Sequence, residues 1–575
     1  MSTDIVDELL GPSSPLRELL PRFEHRPSQL NLARGIVRAY DERRPLVCEA
    51  PTASGKSFAY LAAAVQIVTT SESLGDEPPR AVAAIANKSL QDQLAMKDIP
   101  AIKQAVDLIG LQAPRFTVVK GLSNYLCLKR ADESYQELEY RQHSPLVTEL
   151  VARMSRGWSG DFSSAPLPVP DRLRQGLVMS STECTGKRCA FNKECAGLRA
   201  RTRARTAEIV VTNFAMLMEH ARLWGEEGRH ALLGAFDALI VDEAHLLPSQ
   251  ARSTFGYDVS EAGTMRIVDR IEQLALGDAL ICRRLPGVRN ALTEALSSVR
   301  RRLVGANAPQ SGQEAIRPNE RFDSSDFHRL TSELADAIDQ NEAMRGLDED
   351  KEAHAERIDE LRKRGHALYT AAAHLKKVLD DPPDWFTRSI ERSGRSYVRL
   401  TARPVKPGSY LRDTLWKMCP GATLLSATLR VGSSFRYICD EAGVEYARAR
   451  CATVKSPLDL KRQMRFVCPK GAAAGNAPDW RDVTPRLVRE VVERARGGVL
   501  VLATSRAAVR AYAEALQGVP YNVYVQGEGG TPGELANKFR HDTHSVLVGS
   551  RSFFEGLDVV GESLRVTIID RPMFA

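Results

Sequence analysis

The stretch LVCEAPTASGKSFAYLAAAVQIV, residues 46–68, decides the fold class of this chain. It begins as a short apolar strand, passes through a turn of small and polar residues, and continues as an apolar helix. Such a turn points successive backbone N–H groups at a phosphate, and the helix N-terminus adds partial positive charge. The segment therefore predicts a phosphate-binding loop rather than a plain surface turn. The residues predicted to contact nucleotide are Ala50, Pro51, Thr52, Ala53, Ser54, Gly55, Lys56 and Ser57.

Five side chains are predicted to carry the chemistry of this site. Lys56 is expected to reach the β- and γ-phosphates, and the Ser57 hydroxyl to ligate magnesium. The segment VDEAH, residues 241–245, ends an apolar strand-like run. A carboxylate there could simply cap a helix, but beside a phosphate loop Asp242 is placed to hold magnesium and Glu243 to orient the attacking water. The predicted catalytic residues are Lys56, Asp242, Glu243 and His245.

Apolar strand-like runs alternate with helical patterns in two regions, which predicts two α/β units with parallel sheets wrapped by helices. The runs of the first region are residues 46–50, 81–86, 208–213 and 238–245, and those of the second are 422–428, 498–504, 545–550 and 566–570. Two segments interrupt this alternation, one holding clustered cysteines and one rich in charge and helix formers. The predicted divisions are a first unit in two parts (1–113 and 206–251), a cysteine insertion (114–205), a helical insertion (252–395) and a second unit (396–575).

The composition limits the class of protein. A length of 575 residues suggests about two to four domains. We find no run of about 18 apolar residues that could span a bilayer and no signal-peptide pattern at the N-terminus, so a cytoplasmic protein without membrane contact is expected. The net charge of +7 is mild for this length, and it permits binding to a polyanion without requiring it.

Four of the ten cysteines are clustered: Cys127, Cys184, Cys189 and Cys195. Structural zinc sites usually have two cysteine pairs with short gaps, whereas one distant cysteine followed by a spaced triplet suits a cubane cluster with one thiolate on each iron. Unligated buried cysteines are a third alternative. The charged residues around the triplet, such as Lys187 and Arg188, favour a ligand site.

Further segments resemble the DinG/XPD family of iron–sulfur superfamily 2 helicases, and the cysteine spacing is similar to that of its DinG branch. VDEAH resembles the Walker B segment of the DEAH type in these proteins. The other matching segments are RPSQ (26–29), ANKSLQDQL (86–94), KGLSNYLC (120–127), LLSATL (424–429) and SFFEGLD (552–558).

The resemblance implies two RecA-like (P-loop) domains, with an inserted iron–sulfur domain and an inserted helical arch domain. It implies ATP with Mg²⁺ as substrate and a 4Fe–4S cluster held by the four clustered cysteines. Gln29 would read the adenine, and Glu555, Gly556 and Asp558 would contact the nucleotide from the second domain. The residues implied to couple hydrolysis to DNA movement are Ser426, Ala427 and Thr428.

The implied activity is ATP-dependent DNA unwinding with 5′-to-3′ travel on single-stranded DNA, in replication or repair. Single-stranded DNA and forked or gapped DNA are the expected partners, and a monomer is expected. The sequence departs from the family at Ala50 and Ala53, where glycine is usual, and it ends soon after SFFEGLD, before the family's final arginine-bearing motif. Two alternatives therefore stay open: a catalytically impaired DNA-binding ATPase, and a helicase-related exonuclease, for which the N-terminus shows no acidic cluster.

Overall fold

The computed structural model describes residues 4–20, 23–70, 78–86, 88–134, 143–181, 184–227, 232–275, 278–303, 311–317, 320–340, 351–380, 386–393, 397–470, 477, 479–530, 532–554, 557, 559 and 561–571. The chain forms two compact units, Met1–Pro457 and Leu458–Ala575. Among these residues, no helix combines the length and the apolar character needed to cross a membrane.

The strands, in chain order, are β1 (Leu46–Glu49), β2 (Ala81–Ile85), β3 (Phe116–Val118), β4 (Ile209–Asn213), β5 (Ala238–Asp242), β6 (Tyr257–Ser260), β7 (Ser311–Ile316), β8 (Phe386–Ser393), β9 (Tyr397–Pro404), β10 (Thr423–Ser426), β11 (Arg450–Thr453), β12 (Val499–Leu502), β13 (Asn522–Val525), β14 (Ser545–Gly549) and β15 (Val566–Ile569).

The α-helices of the larger unit are α1 (Ile5–Leu10), α2 (Leu16–Leu19), α3 (Pro27–Asp41), α4 (Lys56–Thr70), α5 (Lys88–Gln93), α6 (Ile99–Leu108), α7 (Leu128–Ser134), α8 (Ser144–Ser155), α9 (Asp171–Gly176), α10 (Ala196–Thr206), α11 (Phe214–Glu227), α12 (Leu247–Thr254), α13 (Glu261–Ala275), α14 (Ala279–Cys282), α15 (Leu285–Leu303), α16 (Ser325–Gln340), α17 (Lys351–Leu379), α18 (Gly408–Asp413), α19 (Leu415–Met418) and α20 (Arg436–Ala442). Those of the smaller unit are α21 (Leu460–Gln463), α22 (Trp480–Ala495), α23 (Arg506–Ala515), α24 (Pro532–His541) and α25 (Arg551–Phe554).

The main sheet of the larger unit has the strand order β11-β1-β10-β5-β2-β4-β3, and all of its described pairs are parallel. Its central strands are apolar and buried on both faces, as expected when helices cover a parallel sheet. Alternate residues of β1 enter different cores, with Val47 on one face and Leu46 and Cys48 on the other. The predicted α/β class with parallel sheets is confirmed.

Strand β10 corrects the predicted division of the chain. The run at residues 422–428 was expected in the second α/β unit, but β10 pairs in parallel with β1 and with β5 in the main sheet. The predicted boundary at residue 396 is therefore too early, and the second compact unit begins at Leu458. A short buried apolar strand has the same sequence pattern in either sheet, so periodicity could not assign it.

The two insertions pack in different ways. In the cysteine insertion, Tyr125 and Leu150 share a hydrophobic core with Val47 and Val82 of the main sheet. Its predicted start at residue 114 is too early, because β3 pairs with β4 in that sheet. The helical insertion has a core of its own, which joins α13, α15, α16 and α17. It also contains an antiparallel sheet in the order β6-β9-β8-β7, which was not predicted.

The smaller unit is a parallel sheet in the order β13-β14-β12-β15. Helices α22 and α23 pack on one face of this sheet through Val488, Val492 and Tyr512. Helix α24 packs on the other face through Leu535 and Phe539. This arrangement confirms the predicted second α/β unit over the residues that follow Leu458.

The position of β10 can be tested with matched core substitutions. Leu424 in β10 and Leu547 in β14 are both fully buried. We expect Leu424→Ala to cost about 2–5 kcal/mol of unfolding free energy, and to raise hydrogen–deuterium exchange in β1 and β5 but not in β12. Leu547→Ala should raise exchange in β12 but not in β1 or β5. Faster exchange in β12 caused by Leu424→Ala would contradict the strand order described here.

Candidate nucleotide site and cysteine site

The predicted phosphate loop connects the end of β1 to the start of α4, which begins at Lys56. Ala53 and Gly55 both have positive φ angles, 64° and 78°. Glycine suits position 55 because L side chains rarely adopt this positive φ, and a Cβ there would also lie 2.1 Å from the Gln29 Nε2 atom. The Gln29 amide donates a hydrogen bond to the Gly55 carbonyl oxygen at 2.9 Å. The structure thus places Gln29 against the loop, and its implied contact with adenine stays a prediction.

Lys56 lies opposite the two predicted carboxylates. Its Nζ is 3.2 Å from Glu243 Oε1 and 4.0 Å from Asp242 Oδ1. The same ammonium donates to the carbonyl oxygen of Ala50 at 3.4 Å. This meeting follows from topology, because β1 and β5 are parallel strands of one sheet and their carboxyl ends share an edge.

Asp242 is the most deeply buried acid of this group, with 2% of its surface exposed. Burial raises the pKa of Asp242 to about 6, and the charge of Lys56 opposes part of that rise. Glu243 has a positive φ of 57°, and its backbone N–H donates a hydrogen bond to Asp242 Oδ1 at 2.9 Å. Clustered carboxylates facing an ammonium can hold a divalent cation beside a phosphate.

The predicted coupling residue Ser426 joins the carboxylates to β10. Its hydroxyl donates to Glu243 Oε2 at 3.2 Å and lies 2.7 Å from His245 Nδ1. The Thr428 backbone N–H donates to the Ser426 hydroxyl at 3.3 Å, and Ala427 lies between them in the chain. Glu243, His245 and Ser426 therefore form one hydrogen-bonded group, and Lys56 reaches it from the phosphate loop.

The sequence patterns assigned no role to Glu49 or Arg26 and predicted Ser54 only as one residue of the loop. Glu49, one position before the loop, accepts hydrogen bonds at 2.9 Å from the backbone N–H groups of Leu429 and Arg430. Arg26 contacts the carbonyl oxygen of Ala53. The Ser54 hydroxyl is buried without a hydrogen-bond partner in the described part of the chain, which fits a loop built to face an anion. An acid that directly precedes a phosphate loop was the available signal for Glu49.

The remaining predicted nucleotide residues fall into two groups. Pro51, Thr52 and Ser57 lie in or directly after the loop, with Ser57 in the first turn of α4. Glu555, Gly556 and Asp558 lie outside the described residues, so their predicted contacts stay predictions.

The four clustered cysteines line a single small cavity. Cys127 directly precedes α7 and its backbone N–H donates to the Leu177 carbonyl at 2.9 Å, while Cys195 is the N-cap of α10. The Gly186 N–H donates to the Cys184 sulfur at 3.4 Å. Cys189 follows a short 3₁₀ turn in the same loop. The fold thus brings together a cysteine and a triplet that lie 57 positions apart in sequence.

This cavity has the donor set that a four-iron cluster requires. Each iron of a cubane takes one thiolate, so the sulfurs must surround a volume rather than meet at a point. Burial raises the pKa of the Cys127 thiol to about 11, the N–H groups of Arg130 and Lys129 oppose this, and the Cys195 and Cys189 thiols add to it. Within the described ranges, no three His, Cys, Asp or Glu side chains are grouped closely enough to hold a single metal ion.

The raised pKa of Asp242 predicts a pH-dependent cost to the ligand-free fold. The pKa of Asp242 in the folded protein, about 6, lies above the ordinary value of 3.8. Protonated Asp242 therefore contributes its full share of the unfolding free energy below about pH 4, and this contribution is lost as the pH rises through 6. We expect Asp242→Asn to gain about 3 kcal/mol of unfolding free energy over the wild type between pH 4 and pH 7. Urea unfolding at several pH values measures this difference, and a constant difference would contradict the assignment.

Comparisons with known proteins identify similar chains. A family model described as "Helicase C-terminal domain" matches residues 488–575. The chain is 26% identical over 574 residues to "ATP-dependent DNA helicase YoaA" of Escherichia coli, covering 98% of this chain and 84% of that protein. It is 27% identical to "ATP-dependent helicase DinG" of Mycobacterium tuberculosis, covering 96% and 82%. A Bacillus subtilis relative named "3'-5' exonuclease DinG" is 24% identical, and this chain covers 64% of it.

Among solved structures, "Structure of S. tokodaii Xpd4" matches 95% of this chain and 80% of that one, at 10% identity and a TM-score of 0.48. The relatives named YoaA and DinG match 98% and 96% of this chain. This chain is therefore similar, over nearly its whole length, to proteins named as ATP-dependent DNA helicases.

Proposed function

We propose that this chain is an ATP-dependent DNA helicase, which uses ATP hydrolysis to move along single-stranded DNA and to separate a duplex. The observation that carries the proposal is the convergence of Lys56, Asp242 and Glu243 at the end of the phosphate loop. Relatives that match nearly the whole chain are named as ATP-dependent DNA helicases. Travel from 5′ to 3′, a forked or gapped substrate, a monomeric state and a cytoplasmic location follow from the resemblance.

ATP would replace the ion pair that Lys56 makes in the free protein. Lys56 Nζ, now 3.2 Å from Glu243, would turn to the β- and γ-phosphate oxygens. That exchange frees the Glu243 carboxylate to orient the attacking water. Asp242 and Ser57 are the residues that would hold Mg²⁺, which neutralises charge developing on the phosphates. The loop N–H groups and the buried Ser54 hydroxyl would face the phosphates, and Gln29 the adenine.

The hydrogen-bonded group around Ser426 offers a route from hydrolysis to movement. When Lys56 turns away from Glu243, the carboxylate is free to shift, and a shift would change its hydrogen bond from Ser426 and its contact with His245 at 3.5 Å. Ser426 is joined through Thr428 N–H to the segment after β10. That segment is anchored to Glu49 by the backbone of Leu429 and Arg430. We assign Ser426, Ala427 and Thr428 the role of passing this change on.

The cysteine insertion is proposed to hold a 4Fe–4S cluster. Cys127, Cys184, Cys189 and Cys195 supply one thiolate for each iron around the common cavity. The cluster would join two segments of the insertion that are distant in sequence and would stabilise a small domain. Zinc is the alternative, and metal analysis separates the two.

Lys56→Ala tests the nucleotide site. We expect the variant to lose DNA-stimulated ATPase activity by at least about a hundredfold, because transition-state charge on the phosphates loses its cation. Lys417→Ala is the matched control, since Lys417 is exposed on α19 and pairs with Asp413. Full activity in Lys56→Ala would refute the motor assignment. ATP and DNA binding by the wild type without stimulated hydrolysis would favour the impaired DNA-binding ATPase.

Cys189→Ser tests the cysteine site. Protein purified without oxygen should be brown with four irons per chain, and the variant should lose the visible absorption and the bound iron. Cys282→Ser is the control, because Cys282 ends α14 in the helical insertion and does not line the cavity. A colourless wild type that holds one zinc per chain would exclude the cluster.

A further inference from the structure

The wall of the cysteine cavity is built partly by the helical insertion. Arg270 on α13, and Glu360 and Arg364 on α17, line the same cavity as the four cysteines. These residues follow Cys195 by 75 to 169 positions in the sequence. Two segments predicted as separate insertions therefore share one site.

Direct contacts hold α17 against the cysteine loop. The Lys363 ammonium donates to the carbonyl oxygen of Cys184 at 3.0 Å. The neighbouring Asp359 pairs with Arg188, which lies one residue before Cys189. Asp359 also pairs with Lys363 at 3.1 Å, one helical turn away on the same face of α17. One turn of α17 therefore contacts both ends of the loop that runs from Cys184 to Cys189.

Glu360 joins three cations at this wall. Its carboxylate accepts a hydrogen bond from Arg270 Nε at 2.9 Å, and it lies 3.6 Å from Lys129 Nζ and 3.7 Å from Arg364 Nη2. Burial alone would raise the pKa of Glu360, but the hydrogen bond and charge of Arg270, with the charges of Lys129 and Arg364, lower it. The carboxylate is therefore ionised at neutral pH.

The lining charges of the cavity have a positive sum. Its basic residues outnumber its acidic ones among the described residues that form the wall, which are Lys129, Arg130, Arg270 and Arg364 against Glu133 and Glu360. A cluster with four thiolate ligands is an anion, so such a wall stabilises it. The net charge around a cluster is one of the main determinants of its reduction potential.

We propose that α17 and α13 of the helical insertion set the reduction potential of the cluster, with Arg364 and Arg270 raising it and Glu360 lowering it. This inference rests on the proposed 4Fe–4S cluster. Adding an electron makes the cluster more negative, so a nearby cation favours the reduced form and a nearby carboxylate favours the oxidised form. The helical insertion thereby acts on the cluster electronically as well as by packing.

Charge-neutralising variants of the full chain give opposite expectations. Arg364→Gln should move the midpoint potential in the negative direction, and Glu360→Gln in the positive direction. Arg362→Gln is the matched control, because it removes the same charge from α17 at a residue that pairs with Asp339 and does not line the cavity. Its shift should be clearly smaller. The potentials are measured by mediated redox titration, followed by visible absorption and electron paramagnetic resonance.

Iron content and absorption of each variant are measured first. Absence of iron in the wild type would overturn the cluster itself and the proposed function of the cysteines. A loaded cluster with unchanged potentials, or with shifts of the same sign in Arg364→Gln and Glu360→Gln, would overturn the inference alone. Should Arg364→Gln fail to retain iron, Arg270→Gln replaces it, because the Arg270 side chain is 35% exposed and carries the same expected sign.

Discussion

The larger unit depends on an arrangement of charge that is unfavourable without ligand. Asp242 and Glu243 are neighbouring acids at the end of a buried strand, and Lys56 is the cation that faces both of them. Burial of Asp242 favours its neutral form, so the free protein carries a cost there that a metal ion and a phosphate can offset. The surrounding sheet must therefore be rigid enough to hold the acids together. Because the fold holds the acids close together instead of moving them apart, nucleotide binding can offset the free-energy cost of burying them.

The register of the main sheet aligns the ends of β1, β10 and β5, so that the side chains at those ends lie at one edge of the sheet. Glu49 lies opposite Ser426 in the pairing of β1 with β10, and Leu425 lies opposite Asp242 in the pairing of β10 with β5. Three adjacent strands thus end together, and each delivers one element of the site. A slip of one residue in β10 would turn Ser426 to the other face of the sheet. The buried apolar residues on both faces of β10 fix that register, so hydrophobic packing secures the polar geometry.

Much of this architecture could be predicted from local patterns. The strand, small-residue turn and helix around Lys56 identify the phosphate loop, and a carboxylate pair after an apolar strand identifies its partner. The spacing of Cys127, Cys184, Cys189 and Cys195 indicated one shared site, and the structure brings them to one cavity. Local patterns could indicate these groupings because each depends on residues close in sequence or on a chemically distinctive side chain, while the roles of the residues stay predictions.

The failures have a common physical origin. The neighbours of β10 are determined by long-range pairing, and an apolar run carries no information about which sheet it joins. The contacts of Glu360 with Arg270 and Lys129 likewise depend on how α17 packs across the cysteine loop. A charge on a predicted amphipathic helix is most simply read as solvated, so sequence alone gave no reason to place it beside the cysteines.

The central position of β10 in the main sheet also affects how the protein folds during synthesis. Its neighbours β1 and β5 are complete by residue 242, but the strand that fits between them begins 181 positions later, at Thr423. During synthesis, the gap in the middle of the sheet stays open until the whole helical insertion has left the ribosome. Such a late, non-local closure slows folding and leaves strand edges unpaired in the meantime.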